Sequence, residues 1–156
     1  MSDADFALVE DGSLLPSPCS PPIEDDDAFL GIRIAAPSRV RLENGGQRPS
    51  VMICGGYHLP LHYAGLGTSL ERGVWIVASD LRQERVLVGP AVAELGERAE
   101  DELPRTGGPS SGVTVIEYFN RDIGPQIVAE PGTWFVYAMI GEAVSNVVRI
   151  ELGSEE

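Results

Sequence analysis

From residue 29 onward, the chain runs as short apolar and β-branched stretches broken by Gly, Pro, Asn and Asp at intervals of about ten residues, a spacing that predicts an all-β fold. Residues 29–35 alternate apolar with small or polar side chains and read as a half-buried strand. In 39–43 the alternation turns Val40 and Leu42 inward, and Asn44-Gly45-Gly46 supplies a turn that tolerates positive φ. Residues 50–54 form a continuous apolar run, followed after Gly55-Gly56 by a second run, 57–63. Pro60 offers no ladder donor, which assigns that second run to a sheet edge. Residues 73–79 are apolar on both faces and predict a central strand, with 84–89 as its neighbour across a turn at 80–83.

Between 91 and 112 the alternation lapses. Helix formers dominate 91–103, a short surface helix, and Gly, Pro and Ser dominate 104–112, a loop; together they read as an insertion. Strands resume at 113–119, 126–129, 133–140 and 146–152. In the last of these Val148, Ile150 and Leu152 share the core side, while Val147, Arg149 and Glu151 face the other way.

Residues 1–28 carry four of the 12 prolines and the acidic run Glu24-Asp25-Asp26-Asp27, and predict an extended arm with no core of its own. The organisation expected is therefore an acidic, Pro-rich arm over 1–28 and a β domain over 29–156.

The stretch Glu130-Pro131-Gly132-Thr133-Trp134-Phe135-Val136-Tyr137-Ala138, with Gly141 and then Ser145-Asn146-Val147-Val148-Arg149-Ile150, resembles the last two strands of immunoglobulin-like and fibronectin type III-like β-sandwich modules of bacterial proteins. The resemblance covers about 25 of the 156 residues. It implies an immunoglobulin-like β-sandwich of two antiparallel sheets and carries no activity with it.

Charge narrows the choice of partners. All 11 basic side chains are Arg, against 24 Asp and Glu, for a net charge of −13. Residues 1–28 hold eight acidic and no basic side chains, leaving the rest only mildly acidic. A polyanion is bound by displacing counterions with clustered cations, so no nucleic-acid partner is expected, nor an anionic membrane surface. No apolar run approaches the roughly 20 residues of a membrane-spanning helix. The N-terminus is acidic where a secretory signal is positive, and the apolar stretch at Leu14-Leu15 is short for a signal core, which makes the cytoplasm the expected location. Cys19 and Cys54 are the two cysteines; they pair if the compartment is oxidising, and otherwise Cys54 is a buried thiol within a strand.

Candidate chemistry is sparse. Cys54, His58 and His62 lie four apart, but Gly55, Gly56 and Pro60 oppose a helix, and on a strand such neighbours are ~13 Å apart, too far to share a zinc ion. A blue-copper site would need a Cys or His in the 141–145 loop, which has neither. No nucleophile elbow occurs, and the Gly-rich runs at 65–67 and 107–112 lack the Lys-Ser/Thr pair of a phosphate cradle. Glu24 to Asp27, Asp80, Asn120 and Asp122 offer oxygen ligands for calcium without the spacing of a calcium loop. No metal and no cofactor are expected.

Aromatic residues gather in two groups, Tyr57, Tyr63 and Trp75, and Tyr118, Phe119, Trp134, Phe135 and Tyr137. Strand alternation forbids Trp134 and Phe135 the same face. If Phe135 and Tyr137 fill the interior, then Trp134, Val136 and Ala138 need cover from the arm, the insertion or another chain. The residues expected at an interface are thus Trp134, Val136, Trp75, Tyr57 and Tyr63. The function expected is a non-catalytic protein-binding or structural subunit, with a protein partner or a homo-oligomer. Two alternatives are a carbohydrate or small-ligand module using Trp75, Tyr57 or Tyr63, and a small metal-dependent enzyme using His58 and His62.

Overall fold

The structure, a computed structural model, describes residues 1–23, 29–43, 47–60, 73–80, 82, 85–91 and 114–154. The expected turn at 44–46 and, Ala91 apart, the expected 91–112 insertion lie outside these residues. The described chain is mostly β. After a single helical turn, α1 (Asp3–Phe6), come β1 (Gly31–Ala35), β2 (Arg39–Arg41), β3 (Met52–Pro60), β4 (Trp75–Asp80), β5 (Arg85–Pro90), β6 (Thr114–Asp122), β7 (Gly132–Ile140), β8 (Ala143–Val144) and β9 (Val148–Gly153).

These strands form two sheets. The smaller runs β1-β3-β6 and is antiparallel throughout; the larger runs β2-β9-β7-β4-β5, with β8 paired to the end of β7. Within the larger sheet β2 lies parallel to β9 and the other pairings are antiparallel, so this sheet is mixed and the expectation of two antiparallel sheets holds only for the smaller one. One core serves both sheets. Ile32, Ile53, Tyr57, Leu59 and Phe119 from the smaller sheet join Ile76, Trp134, Val136, Ile140 and Ile150 from the larger. Asn146 ties the layers together at the free edge of β1, where its Oδ1 accepts from the Ile34 N–H and its Nδ2 donates to the Ile34 carbonyl, at 2.9 and 3.0 Å. That amide supplies the donor and acceptor a neighbouring strand would have offered.

Alternation located most strands correctly. Ile32 and Ile34 point inward from β1, Val40 and Leu42 pack on the core, and Ile150 and Leu152 are buried on β9. β4 lies between β7 and β5, as a run apolar on both faces requires.

Three further expectations need correction. The run 50–54 and the run after Gly55-Gly56 belong to one strand, β3, which occupies the centre of its sheet; Pro60 is tolerated as its last residue. Gly55 makes no turn. It is a recess for the Phe119 ring directly across the ladder, since a Cβ there would sit 2.0 Å from a ring carbon. No strand forms at 126–129. Asp122 Oδ1 accepts from the Gly124 N–H, a 3-10 turn spans Gly124–Gln126, and the Ile127 N–H returns to the Ile123 carbonyl at 3.2 Å. Finally, β7 has the opposite phase to the one considered. Trp134, Val136, Ala138 and Ile140 face the core, and Phe135, Tyr137 and Met139 are half-buried on the outer side.

Candidate functional site

A two-sheet molecule has two outer faces, and the chain treats them differently. On the smaller sheet, odd positions of β3 enter the shared core, so Met52, Cys54, Gly56 and His58 point outward, yet all four are buried. The N-terminal segment covers Met52 and Cys54, and its Ile23 lies against Gly56. Phe6 of α1 and Cys19 pack with Met52 and Cys54 into a second small cluster bordered by Val9 and Ala35. Cys19 and Cys54 form a disulfide with Cα atoms 5.8 Å apart, so the two cysteines do pair.

Polar anchors hold the rest of this segment. Asn120, on the outer side of β6 and 1 % exposed, donates through Nδ2 to the carbonyls of Ser13 and Leu15 at 2.9 and 3.0 Å. Its Oδ1 accepts from the Ser17 hydroxyl at 3.1 Å, and its backbone carbonyl accepts from the Gly12 N–H. Asp11 accepts from the Asp122 N–H and pairs with Arg121 at 3.5 Å, while Arg33 donates to the Pro22 carbonyl. The segment is therefore not a free extended arm. It folds back through α1 and two turns onto its own sheet.

These bonds remove most of the groups that suggested metal chemistry. Asn120 is committed to the N-terminal segment, Asp122 accepts from the Val51 and Gly124 N–H groups and the Ser50 hydroxyl, and Asp80 accepts from the Arg82 N–H. Cys54 is in the disulfide, and buried His58 shares a 2.8 Å hydrogen bond between Nε2 and the Thr114 hydroxyl. His62 and the run Glu24 to Asp27 lie outside the described residues. Among the described residues no group of three His, Cys, Asp or Glu side chains could hold a metal ion.

The outer face of the larger sheet is the contrasting case. Its ladders place Val86 and Val88 of β5, Trp75, Ser79 and buried Val77 of β4, and Phe135, Tyr137 and Met139 of β7 on one side, with Val144 of β8 opposite Met139. Val86, Val88 and Val144 are 62, 59 and 57 % exposed, and Trp75 is 44 % exposed. Across β9 and β2 the same face turns polar, with Arg149, Glu151 and Arg39; Glu151 pairs with Arg149 and with Arg39.

Against this geometry the expected interface residues separate. Trp75 stands on the exposed apolar face. Trp134, Val136 and Tyr57 are in the core, Tyr57 donating its hydroxyl to Glu117, and Tyr63 lies outside the described residues. Val86, Val88, Met139 and Val144 were not singled out from the sequence, and Phe135 and Tyr137 were considered for the interior. The available signal was that 86–88 and 134–140 are apolar at every position, so one face of each strand had to remain outside a two-layer core. No described helix is long and apolar enough to cross a membrane. Comparison with known proteins returns no matching family model, no matching curated protein and no matching solved structure.

Proposed function

We propose that the protein is a non-catalytic binding or assembly module, an immunoglobulin-like β-sandwich whose larger sheet docks a protein surface on its outer face. The observation that carries this reading is the asymmetry of the two outer faces. The chain covers much of one with its own N-terminal segment and leaves exposed apolar side chains, Val86, Val88 and Trp75, beside half-buried Phe135 and Tyr137 on the other. Apolar surface gathered in one patch and rimmed by charge marks an interface, and aromatic side chains are the usual anchors there. The packing of two sheets on one core and the Pro131-Gly132-Thr133 entry to β7 support the immunoglobulin-like reading, and the parallel β2–β9 pair is its departure from the expected two antiparallel sheets.

The recognition-module alternative loses support because Tyr57 is buried, and the metal-enzyme alternative because His58 is buried and bonded to Thr114. The Cys19–Cys54 bridge favours an oxidising compartment over the cytoplasm that the acidic N-terminus suggested.

The simplest occupant of the face is a second copy. Sedimentation velocity of the intact chain is expected to show concentration-dependent association that Trp75→Arg combined with Val88→Glu abolishes, with the melting temperature little changed because both side chains are exposed. Association that survives both substitutions would count against this face as the interface.

A further inference from the structure

Among the described residues the two sheets end in four edge strands, β1, β6, β2 and β5. An open edge presents unpaired backbone N–H and C=O groups that template another strand, and proteins blunt it with plugs, short strands or charge. Three of these edges are treated in that way. On β1 the Asn146 amide satisfies both backbone groups of Ile34. On β6 the Asn120 carbonyl accepts from the Gly12 N–H, and the Asp122 N–H donates to the Asp11 carboxylate. β2 is three residues long, with an Arg on each side of Val40. β5 carries no such device among the described residues. It is six residues long, Arg85 is its one charged side chain, and Val86 and Val88 are exposed.

The ladder fixes which backbone groups of β5 point outward. The Ala91 N–H donates to the Val74 carbonyl at 2.9 Å, and Trp75 is registered with Pro90, so Ala91 and Val74 stand opposite each other as a hydrogen-bonded pair. Bonded and non-bonded pairs alternate along an antiparallel ladder, which turns the backbone groups of Gly89, Leu87 and Arg85 toward β4 and those of Pro90, Val88 and Val86 away from it. Pro90 fits this phase, since its missing N–H is one that β4 would not have used. Val86 and Val88 therefore offer their N–H and C=O groups along the edge and their side chains to the apolar outer face.

We propose that β5 is a pairing edge for a second copy of the chain: two β5 strands join antiparallel about a twofold axis at Leu87, and the two larger sheets become one. The position of the axis follows from the strand itself. Centred on Leu87, Val86 of each copy stands opposite Val88 of the other and the two exchange both N–H···O=C bonds, so every outward group of both valines is used. Centred on Val88, Val86 would face Pro90, which cannot donate. Centred on Val86, the two Arg85 side chains would lie about 7 Å apart along the strands, against about 13 Å for the Leu87 axis, where Arg85 stands opposite Gly89. The strand is thus its own complement, which makes a second copy the occupant. Val86 against Val88 is a β-branched cross-strand pair that carries the apolar outer face from one copy into the next and leaves Trp75 exposed on the joined face. The edge adjoins the docking face and pairs whether or not that face is occupied.

The test is disulfide trapping in the intact protein. A non-bonded antiparallel pair sets Cα atoms about 4.5 Å apart, within reach of a disulfide, so Leu87→Cys on the axis is expected to give a linked dimer under mild oxidation. Leu8→Cys, 79 % exposed on the N-terminal segment, is expected to give less than about a fifth as much. Adding Val88→Pro to Leu87→Cys removes an outward N–H, sets a ring in the path of the incoming strand and keeps the bonds to β4; it is expected to cut the linked dimer about tenfold. Adding Trp75→Arg alters the face and spares the edge, and is expected to keep at least about half of it. Sedimentation velocity of Val88→Pro alone is expected to show association weakened by about tenfold, and melting curves establish that each variant is folded. Linked dimer lost with Trp75→Arg and kept with Val88→Pro would overturn edge pairing and leave face-to-face docking standing. No more linked dimer from Leu87→Cys than from Leu8→Cys would overturn it as well, as would a chain that stays monomeric up to about 100 μM.

Discussion

Gly55 and Phe119 face each other across the β3–β6 ladder, and the ring lies flat over the glycine. Gly55→Ala places a methyl group within the ring, so Phe119 must leave its rotamer or the strands must part. The expected loss is about 3 kcal/mol in urea denaturation. Adding Phe119→Leu, a smaller side chain, is expected to return part of that loss; a neutral Gly55→Ala would show that the ring moves freely. The same pair shows where sequence reading stops. Two adjacent glycines between apolar runs look like a turn, because the recess they provide is used by a residue more than 60 positions away. Asn120 is a similar case: within the β6 sequence it is one polar residue among several, and its role depends on backbone carbonyls from Ser13 and Leu15. Residues whose role is local, such as Val40 between two arginines or Ile150 between Arg149 and Glu151, were legible because period-two alternation alone decides their side.

Among elements, the N-terminal segment holds to the sheet through two kinds of tie, a covalent one at Cys19–Cys54 and the hydrogen bonds converging on Asn120. The bridge closes a loop with a sequence separation of 35, which in the chain-entropy account stabilises the fold by about 4 kcal/mol. Asn120→Ala leaves buried partners unsatisfied at a cost of about 2 kcal/mol. The two ties act on one element, so their effects are expected to couple. In a Cys19→Ala/Cys54→Ala background the segment detaches more readily, and Asn120→Ala is expected to cost less than half of what it costs in the bridged protein. A double-mutant cycle by chemical denaturation measures this, and strictly additive losses would mean that the segment stays docked without its bridge. At this scale the strands with one wet face could be read from alternation, whereas the docking of 1–23 could not. Proline content and acidity describe a segment that lacks a core of its own, and they do not say whose core it joins. The phase of β7 was ambiguous for a related reason: Trp134 to Ile140 is apolar at each step, so alternation offers no polar side to place outside.

For the molecule as a whole, salt separates apolar docking from contact driven by charge. Copies that each carry a net charge of −13 repel one another, and added salt screens that repulsion while leaving apolar burial intact. Association through Trp75, Val86 and Val88 is therefore expected to tighten as NaCl rises from about 50 to about 500 mM, over which the Debye length falls from roughly 14 to roughly 4 Å. Sedimentation at three salt concentrations gives this slope on one preparation. If association weakened with salt instead, charge attraction between copies would be its source, and the apolar face of the larger sheet would not be the contact.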